Sequence, residues 1–352
     1  MWKDLKYLLA YLLPTVTVIG MYLGGSWAFA GVLFAFGLLP LLELVLPTHT
    51  ENIEETAELS RSRRRFFDLL LYLNLPILYG IVGYYLYLVS FSSWTVGELV
   101  GLTLSVGTMI GTLGINVGHE LGHRTTRLEQ LMAQALLLPG LYLHFTIEHN
   151  RGHHKNVATP ADPATSRRGE MVYAFWLRSS IGGWLGAWKL EAERLKKQGK
   201  PPFTFANQML RFQLVQLIYL GTLAIALSPY TALMAILAGT VGFLLLETVN
   251  YIEHYGLMRK KTASGRYEPV QPIHSWNSDH ELGRIFLYEL TRHSDHHFKA
   301  TRKYQILRRF EESPQLPVGY PASMLLSMVP PLWFAYMNPK LERLEEQERL
   351  VA

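Results

Sequence analysis

The sequence predicts an all-α integral membrane protein, with about six transmembrane helices under a histidine-rich cytoplasmic cap. Three observations carry this. Lys and Arg are missing from residues 7–60, 66–123 and 212–258. Each gap holds two apolar runs close to the ~20 residues a helix needs to cross ~30 Å of hydrocarbon. Nine of the 13 histidines fall in four short motifs beside these gaps.

Taken in order, the spans are expected at 7–23, 26–46, 66–90, 97–118, 211–228 and 231–252. The first two could instead suggest a cleavable leader, since Met1 to Lys6 is basic and Ala28-Phe29-Ala30 offers small residues. The apolar run continues to Leu46 without a polar break, however, so two spans are the better reading. The short turns at Gly24-Gly25-Ser26, Ser90 to Thr95 and Ser228-Pro229-Tyr230 carry no cation, whereas the opposite connections carry Arg61, Arg63, Arg64, Arg65 and the basic middle of the chain. The positive-inside rule then places both termini and all four histidine motifs in the cytoplasm. Residues 128–146 are long and apolar enough to span, but crossing would part the histidines before them from those after. They are therefore read as re-entrant or interfacial, broken at Pro139-Gly140.

The rest forms a cap of residues 119–210 and 253–352, and the whole chain, 1–352, reads as one unit. Within the cap, 155–205 is polar, with a charged surface helix from Lys189 to Lys200. Ser323 to Met337 is apolar but interrupted by Pro330-Pro331, and the tail from Lys340 is a charged helix. The net charge of +5 follows from this topology and does not call for nucleic acid.

The chain has no cysteine, which excludes disulfides, thiolate-bound zinc, iron–sulfur centres and a Cys nucleophile. Histidine is then the natural ligand. His119 and His123 lie in HELGH, His149, His153 and His154 in EHNRGHH, His293, His296 and His297 in RHSDHH, and His254 in NYIEHYG. On a regular helix His149 and His153 share a face, with His154 turned by about 100°. HELGH also fits the HExxH zinc-protease pattern, so a membrane metalloprotease is an alternative. One hydrolytic zinc needs three protein ligands, and nine histidines are too many, which points to two metals. Imidazole disfavours magnesium and calcium and leaves iron, zinc, copper or nickel. A metal transporter is a further reading, though its ligands belong near the bilayer midplane.

Behind the histidines, Glu120, Glu148, Glu253 and Asp295 are sequence neighbours able to orient the rings. Asn116 stands three residues before His119 and Asn250 four before His254. Glu247 is an ionisable side chain inside a span, and such residues are costly and tend to be functional. His49, His144, His274 and His280 are assigned to structure or to support behind the ligands.

Four stretches resemble the membrane-bound non-haem di-iron alkane 1-monooxygenases, within the membrane fatty acid desaturase and hydroxylase superfamily. They are NVGHELGHR (Asn116 to Arg124), EHNRGHHKNVATPADPATSR (Glu148 to Arg167), NYIEHYGL (Asn250 to Leu257) and LTRHSDHH (Leu290 to His297). Arg124, Thr291 and Phe298 depart from the commoner residues beside the ligands. The resemblance implies that His119, His123, His149, His153, His154, His254, His293, His296 and His297 hold two iron ions. It implies terminal hydroxylation of medium-chain alkanes with O2 as co-substrate and electrons from a rubredoxin, itself served by a rubredoxin reductase. A related di-iron lipid desaturase or hydroxylase is the nearest alternative.

An alkane dissolved in membrane lipid would reach such a site without crossing water. No flavin, haem or cysteine motif is present, so a separate donor is expected; Arg259, Lys260, Lys261 and Arg266 are candidate docking charges for an acidic one, although the positive-inside rule alone would also place cations there. The expected location is the bacterial inner membrane.

Overall fold

The computed structural model describes residues 2–351. In chain order its helices are α1 Asp4–Leu23, α2 Gly25–Val45, α3 Glu55–Ser62, α4 Arg65–Phe91, α5 Val96–Gly122, α6 Arg127–Leu137, α7 at 145–156 and α8 Val172–Lys197. They continue as α9 Gln208–Ala226, α10 Pro229–His254, α11 Glu281–Phe286, α12 His293–Phe298, α13 Tyr320–Ser327 and α14 Pro330–Val351. Among the described residues, extended pairing is limited to three isolated bridges, such as Lys261 with Tyr267. The protein is thus an all-α integral membrane protein. Six helices, α1, α2, α4, α5, α9 and α10, are long and apolar enough to cross a bilayer.

Local chemistry sets where the long helices begin. Thr95 and Glu98 cap α5 reciprocally: the Thr95 hydroxyl accepts from the Glu98 N–H at 3.3 Å, and the Glu98 carboxylate accepts from the Thr95 N–H at 2.9 Å. The same carboxylate accepts from the Gly25 N–H at 2.8 Å and so ties the start of α2 to the start of α5. Ser228 caps α10 with Pro229 in its first turn, and Asn207 caps α9.

The spans differ in how far they enter the protein. α5 is 78% buried over its apolar window, whereas α9 is 11% buried and faces outward nearly all round. α5 packs on α10 at close range because glycines face bulk across the contact. A Cβ at Gly107 would stand 2.4 Å from Val241, and one at Gly242 would stand 2.5 Å from Ile110.

α6 ends at Leu137, two residues before Pro139, and Leu138 to His144 turn the chain into α7 without a second long helix. α8 is longer than the charged segment expected at Lys189 to Lys200, extending back to Val172. α14 begins at Pro330, ten residues before the charged tail expected from Lys340, because Pro330 and Pro331 occupy the first turn, where no helical donor is lost; Pro339 lies inside the helix.

Two carboxylates fasten the cap to the N-terminal hairpin. Glu43, near the end of α2, accepts from the Gly283 N–H at 2.7 Å and lies against Gly319, where a Cβ would collide with it. Glu289 receives Arg284 at 2.7 Å and the Tyr7 hydroxyl of α1. Tyr288 and Glu289 both adopt positive φ, 50° and 61°, a strained turn held by these bonds just before α12.

Candidate metal centre

The nine motif histidines arrive from four directions. His119 lies on the last turn of α5 with His123 just beyond it. His149, His153 and His154 lie on α7, His254 ends α10, and His293, His296 and His297 lie on α12. Their ligand nitrogens form two groups, each with its members within 4.8 Å of one another. One is His119, His123, His149, His154 and His296; the other is His153, His254, His293 and His297.

Within the first group the Nε2 atoms follow each other from His123 to His149 (3.1 Å), His154 (3.0 Å), His296 (3.1 Å) and His119 (2.9 Å). In the second they run from His153 to His297 (3.2 Å), His293 (2.9 Å) and His254 (3.2 Å). Hydrogen bonding does not account for this. A neutral Nε2 either donates once or accepts once, yet His149, His154, His296, His297 and His293 each meet two others. A shared cation does account for it: around metal–nitrogen bonds of about 2.1 Å, ligands at right angles stand about 3 Å apart. The residues therefore fit two metal ions, one per group.

The α7 histidines divide differently from the helical expectation. His149 pairs with His154, five residues on, and His153 goes to the other group. The cause is local: His149–His153 is a π-helical turn, in which residues five apart come into register. A second π-helical turn, Ile110–Asn116, precedes His119 on α5. On α12 the ordinary spacing holds. His293 and His297 share one group, and His296 joins the other.

Burial, reinforced by neighbouring imidazoles, holds His149, His154, His293, His296 and His297 well below the ordinary imidazole range. Neutral imidazole is the form that ligates. His153 is the exception. Burial pushes it down, but the Asp162 carboxylate, 2.9 Å from its Nδ1, more than offsets this and raises it. Asp162 also accepts from the Thr165 hydroxyl at 2.6 Å and the Ala164 N–H at 3.0 Å. This is the carboxylate–histidine pairing that orients metal ligands. Sequence reading quoted the motif containing Asp162 but did not single it out. Its signal was the acidic residue in a Pro-flanked turn, PADPAT, soon after the ligands.

The residues expected behind the ligands separate into three sets. Glu253 reaches the centre: its Oε2 lies 3.1 Å from His293 Nε2, and the Tyr320 hydroxyl donates to its Oε1 at 2.9 Å. Glu120 and Asp295 are engaged elsewhere. Glu120 pairs with Arg124 at 2.8 Å, and Asp295 takes Arg302 at 2.6 Å and the Arg308 N–H at 2.7 Å, so both brace helices. Glu148, Glu247 and Asn250 line a small cavity with Tyr142, His144 and Ser179, and the motif histidines His149 and His153 border it too. Tyr142 donates to Glu247 there. Glu148 is pushed up to about 8 by burial and by the neighbouring Asp162. Of the histidines assigned to structure, His144 lines this cavity, His280 contacts Ser278 and His49 contacts Arg284. His274 Nδ1 accepts from the Gln271 N–H.

Asn116 donates to the Leu287 carbonyl at 3.1 Å and borders a second, apolar cavity of about 70 Å³. Phe36 and Leu39 of α2, Thr108 and Thr112 of α5, Leu245 and Val249 of α10 and Leu287 form its walls. Its lining includes Asn116 and Leu290, each three residues before a motif histidine in sequence.

Comparison with known proteins agrees with this architecture. The profile of the fatty acid desaturase family matches residues 92–324. Alkane 1-monooxygenase 2 of Pseudomonas aeruginosa is 39% identical over 319 residues, covering 90% of this chain and 84% of that protein. The alkane 1-monooxygenase of Pseudomonas putida is 38% identical over 344 residues, covering 96% and 85%. More distant is the hydroxylase component of a xylene/toluene monooxygenase of Pseudomonas putida, 32% identical over 339 residues and covering 94% and 88%. With its imidazole-lined centre set among spanning helices, the chain belongs to the fatty acid desaturase family and, within it, to the group of the alkane 1-monooxygenases.

Proposed function

We propose that this protein is an oxidoreductase that hydroxylates the terminal carbon of alkanes at two iron ions held by the nine motif histidines. The observation that carries the reading is the pair of imidazole groups gathered at the ends of spanning helices, with an apolar cavity between those helices whose lining includes Asn116 and Leu290. The overall reaction consumes RH, O2, two electrons and two protons and yields ROH and H2O. An alkane C–H bond offers no acidic, basic or electrophilic handle, so the iron centre supplies the oxidising chemistry.

The chain's own residues bind, orient and exclude water. Leu245, Val249, Leu287 and Phe36 hold the alkyl chain, with Asn116 contributing an amide to the same lining. Much of the gain from burying a methylene, about 0.8 kcal/mol, is already realised in the lipid, so selection among alkanes falls to the shape of the cavity. Asp162 fixes the tautomer of His153 by accepting from its Nδ1–H. Glu253, steadied by Tyr320, offers an oxygen beside His293.

Electrons come from a donor protein, which we assign to a rubredoxin served by its reductase. The basic turn Arg259 to Arg266 suits an acidic donor. Arg259 donates to the Lys155 carbonyl at 2.8 Å, which brings this turn beside His154. We place both termini and the metal centre on the cytoplasmic side of the bacterial inner membrane, from the distribution of cations between connections.

Purified protein is expected to hold two irons per chain and, with O2 and a reducing system, to convert an n-alkane to a 1-alkanol carrying oxygen from labelled O2. An alkene without label would instead identify a desaturase. Zinc in place of iron, with activity surviving removal of O2, would identify an HExxH hydrolase.

A further inference from the structure

One surface of the cap does not suit water. From Val172 to Trp188, α8 presents Tyr173, Leu177, Ile181, Trp184 and Leu185 outward, exposed by 46, 69, 59, 38 and 55%. At 100° per residue these five fall within an arc of about 120°. The only charged side chain in this stretch, Arg178, turns inward to Glu170 at 2.7 Å. The opposite face is buried and small where it meets the metal-binding segment: a Cβ at Gly182 would stand 2.7 Å from Pro163, and one at Gly186 would stand 3.5 Å from Glu148.

The stripe does not end with the helix. Trp184 contacts Trp188 at 5.9 Å between ring centroids, and Trp188 contacts Phe203 at 6.5 Å. Phe203 and Phe205, each 79% exposed, then lead into α9, the span with the least protein around it. The apolar surface is thus continuous with one that faces lipid. At the C-terminal end of α8 the character changes, with Lys189, Lys196, Lys197 and Lys200 exposed.

α8 is long enough to cross, yet it does not. His149, His153 and His154 precede it and His254 follows it, and all four join one centre. α9 and α10 already make two crossings between them, so a third would put His254 on the wrong side of the bilayer.

We propose that α8 lies in the plane of the membrane surface, with its Tyr173 to Leu185 stripe among the acyl chains of the nearer leaflet and its lysines at the lipid headgroups. An amphipathic helix with aromatic residues on one face and cations beside it suits that interface. The same helix presses its small-residue face on the α7 segment, so the lipid surface forms the outer wall of the metal centre on this side. The inference rests on membrane insertion and holds whatever substrate the centre oxidises.

The absence of cysteine makes the test direct. Leu177→Cys, Ile181→Cys and Lys197→Cys, each spin-labelled in the full chain, are reconstituted in nanodiscs of phosphatidylcholine and phosphatidylglycerol. Bound iron equal to that of the unsubstituted protein verifies the fold. Labels at 177 and 181 are expected to collide with dissolved O2 several-fold more than with an aqueous nickel chelate, and the label at 197 to show the reverse. Nickel access at 177 and 181 matching that at 197 overturns the proposal, as does dipolar coupling between labels on different chains, which would mean that a second copy covers the stripe. Brominated lipid provides a second measurement: the fluorescence that it quenches should fall in Trp184→Phe, and equal quenching in both proteins also overturns it.

Discussion

The two imidazole groups are built from the same side chain and are not equivalent. The group of four is fully buried and has two carboxylates at hand, Asp162 behind His153 at its Nδ1 and Glu253 on the ligand side of His293 at its Nε2. The group of five is all imidazole, and two of its rings, His123 and His154, are only partly buried. The closed group is braced like a structural site, whereas the open one has two partly exposed rings. One centre thus combines a firmly held position with an accessible one.

The largest test of that contrast removes a ligand from the open group. His154 meets both His149 and His296, so His154→Ala is expected to abolish alcohol formation and lower bound iron while the spans stay inserted. Product assay and metal content read both effects, and full activity with normal iron would end the ligand assignment. On the closed side, Asp162→Asn keeps the shape but removes the charge that orients His153. Metal affinity is expected to fall by about 10- to 100-fold, measured by competition with a chelator.

Chelation of the unsubstituted protein sharpens the comparison further. The open group should lose its ion several-fold faster, giving two kinetic phases of equal amplitude in iron release. A single phase would make the two groups equivalent.

A smaller effect concerns the framework. Glu191 of α8 takes Arg151 at 2.6 Å, Arg194 at 2.8 Å and the Gln208 N–H at 3.0 Å, which joins α7, α8 and α9. Burial pushes its carboxyl up, but these bonds outweigh that and bring it from 4.5 to about 2. A depressed carboxyl stabilises the fold fully above its unfolded value of 4.5, and the contribution is lost as pH falls through about 2. Glu191→Gln should therefore cost about 2 kcal/mol at neutral pH, where both arginines are partly exposed. The difference in Tm from the unsubstituted protein should narrow as pH drops below 4.5. Smallest of all, Lys261→Ala should weaken turnover with an acidic donor only at low salt, leaving reaction with a small chemical reductant unchanged.

These contrasts also explain what could be read in advance. The six spans were legible because cation-free gaps and apolar length leave few other readings, and the nine histidines because their spacing repeats. Their partition was not. A 3.6-residue period pairs His149 with His153, and only the π-helical turn moves His154 into that place. Tyr320 was hidden because it reaches Glu253 from 67 residues away, whereas Asp162 had a signal in PADPAT that its neighbours in the turn did not make specific. Glu120 and Asp295 show the converse: each is next to a ligand in sequence and points away from the centre toward an arginine. The stripe on α8 escaped notice because Arg178 and the glycines lower the mean hydropathy of a segment whose outer face alone is apolar.

Glu43 carries a last consequence. Its carboxylate, wedged between Gly283 and Gly319, fastens α11 and the start of α13, which precede and follow α12, to the second helix of the chain. The opening hairpin is therefore more than a membrane tether. Exchanging it for an unrelated anchor of the same length would loosen the segment that delivers His293, His296 and His297, and the chain would lose its grip on metal far from where it was cut.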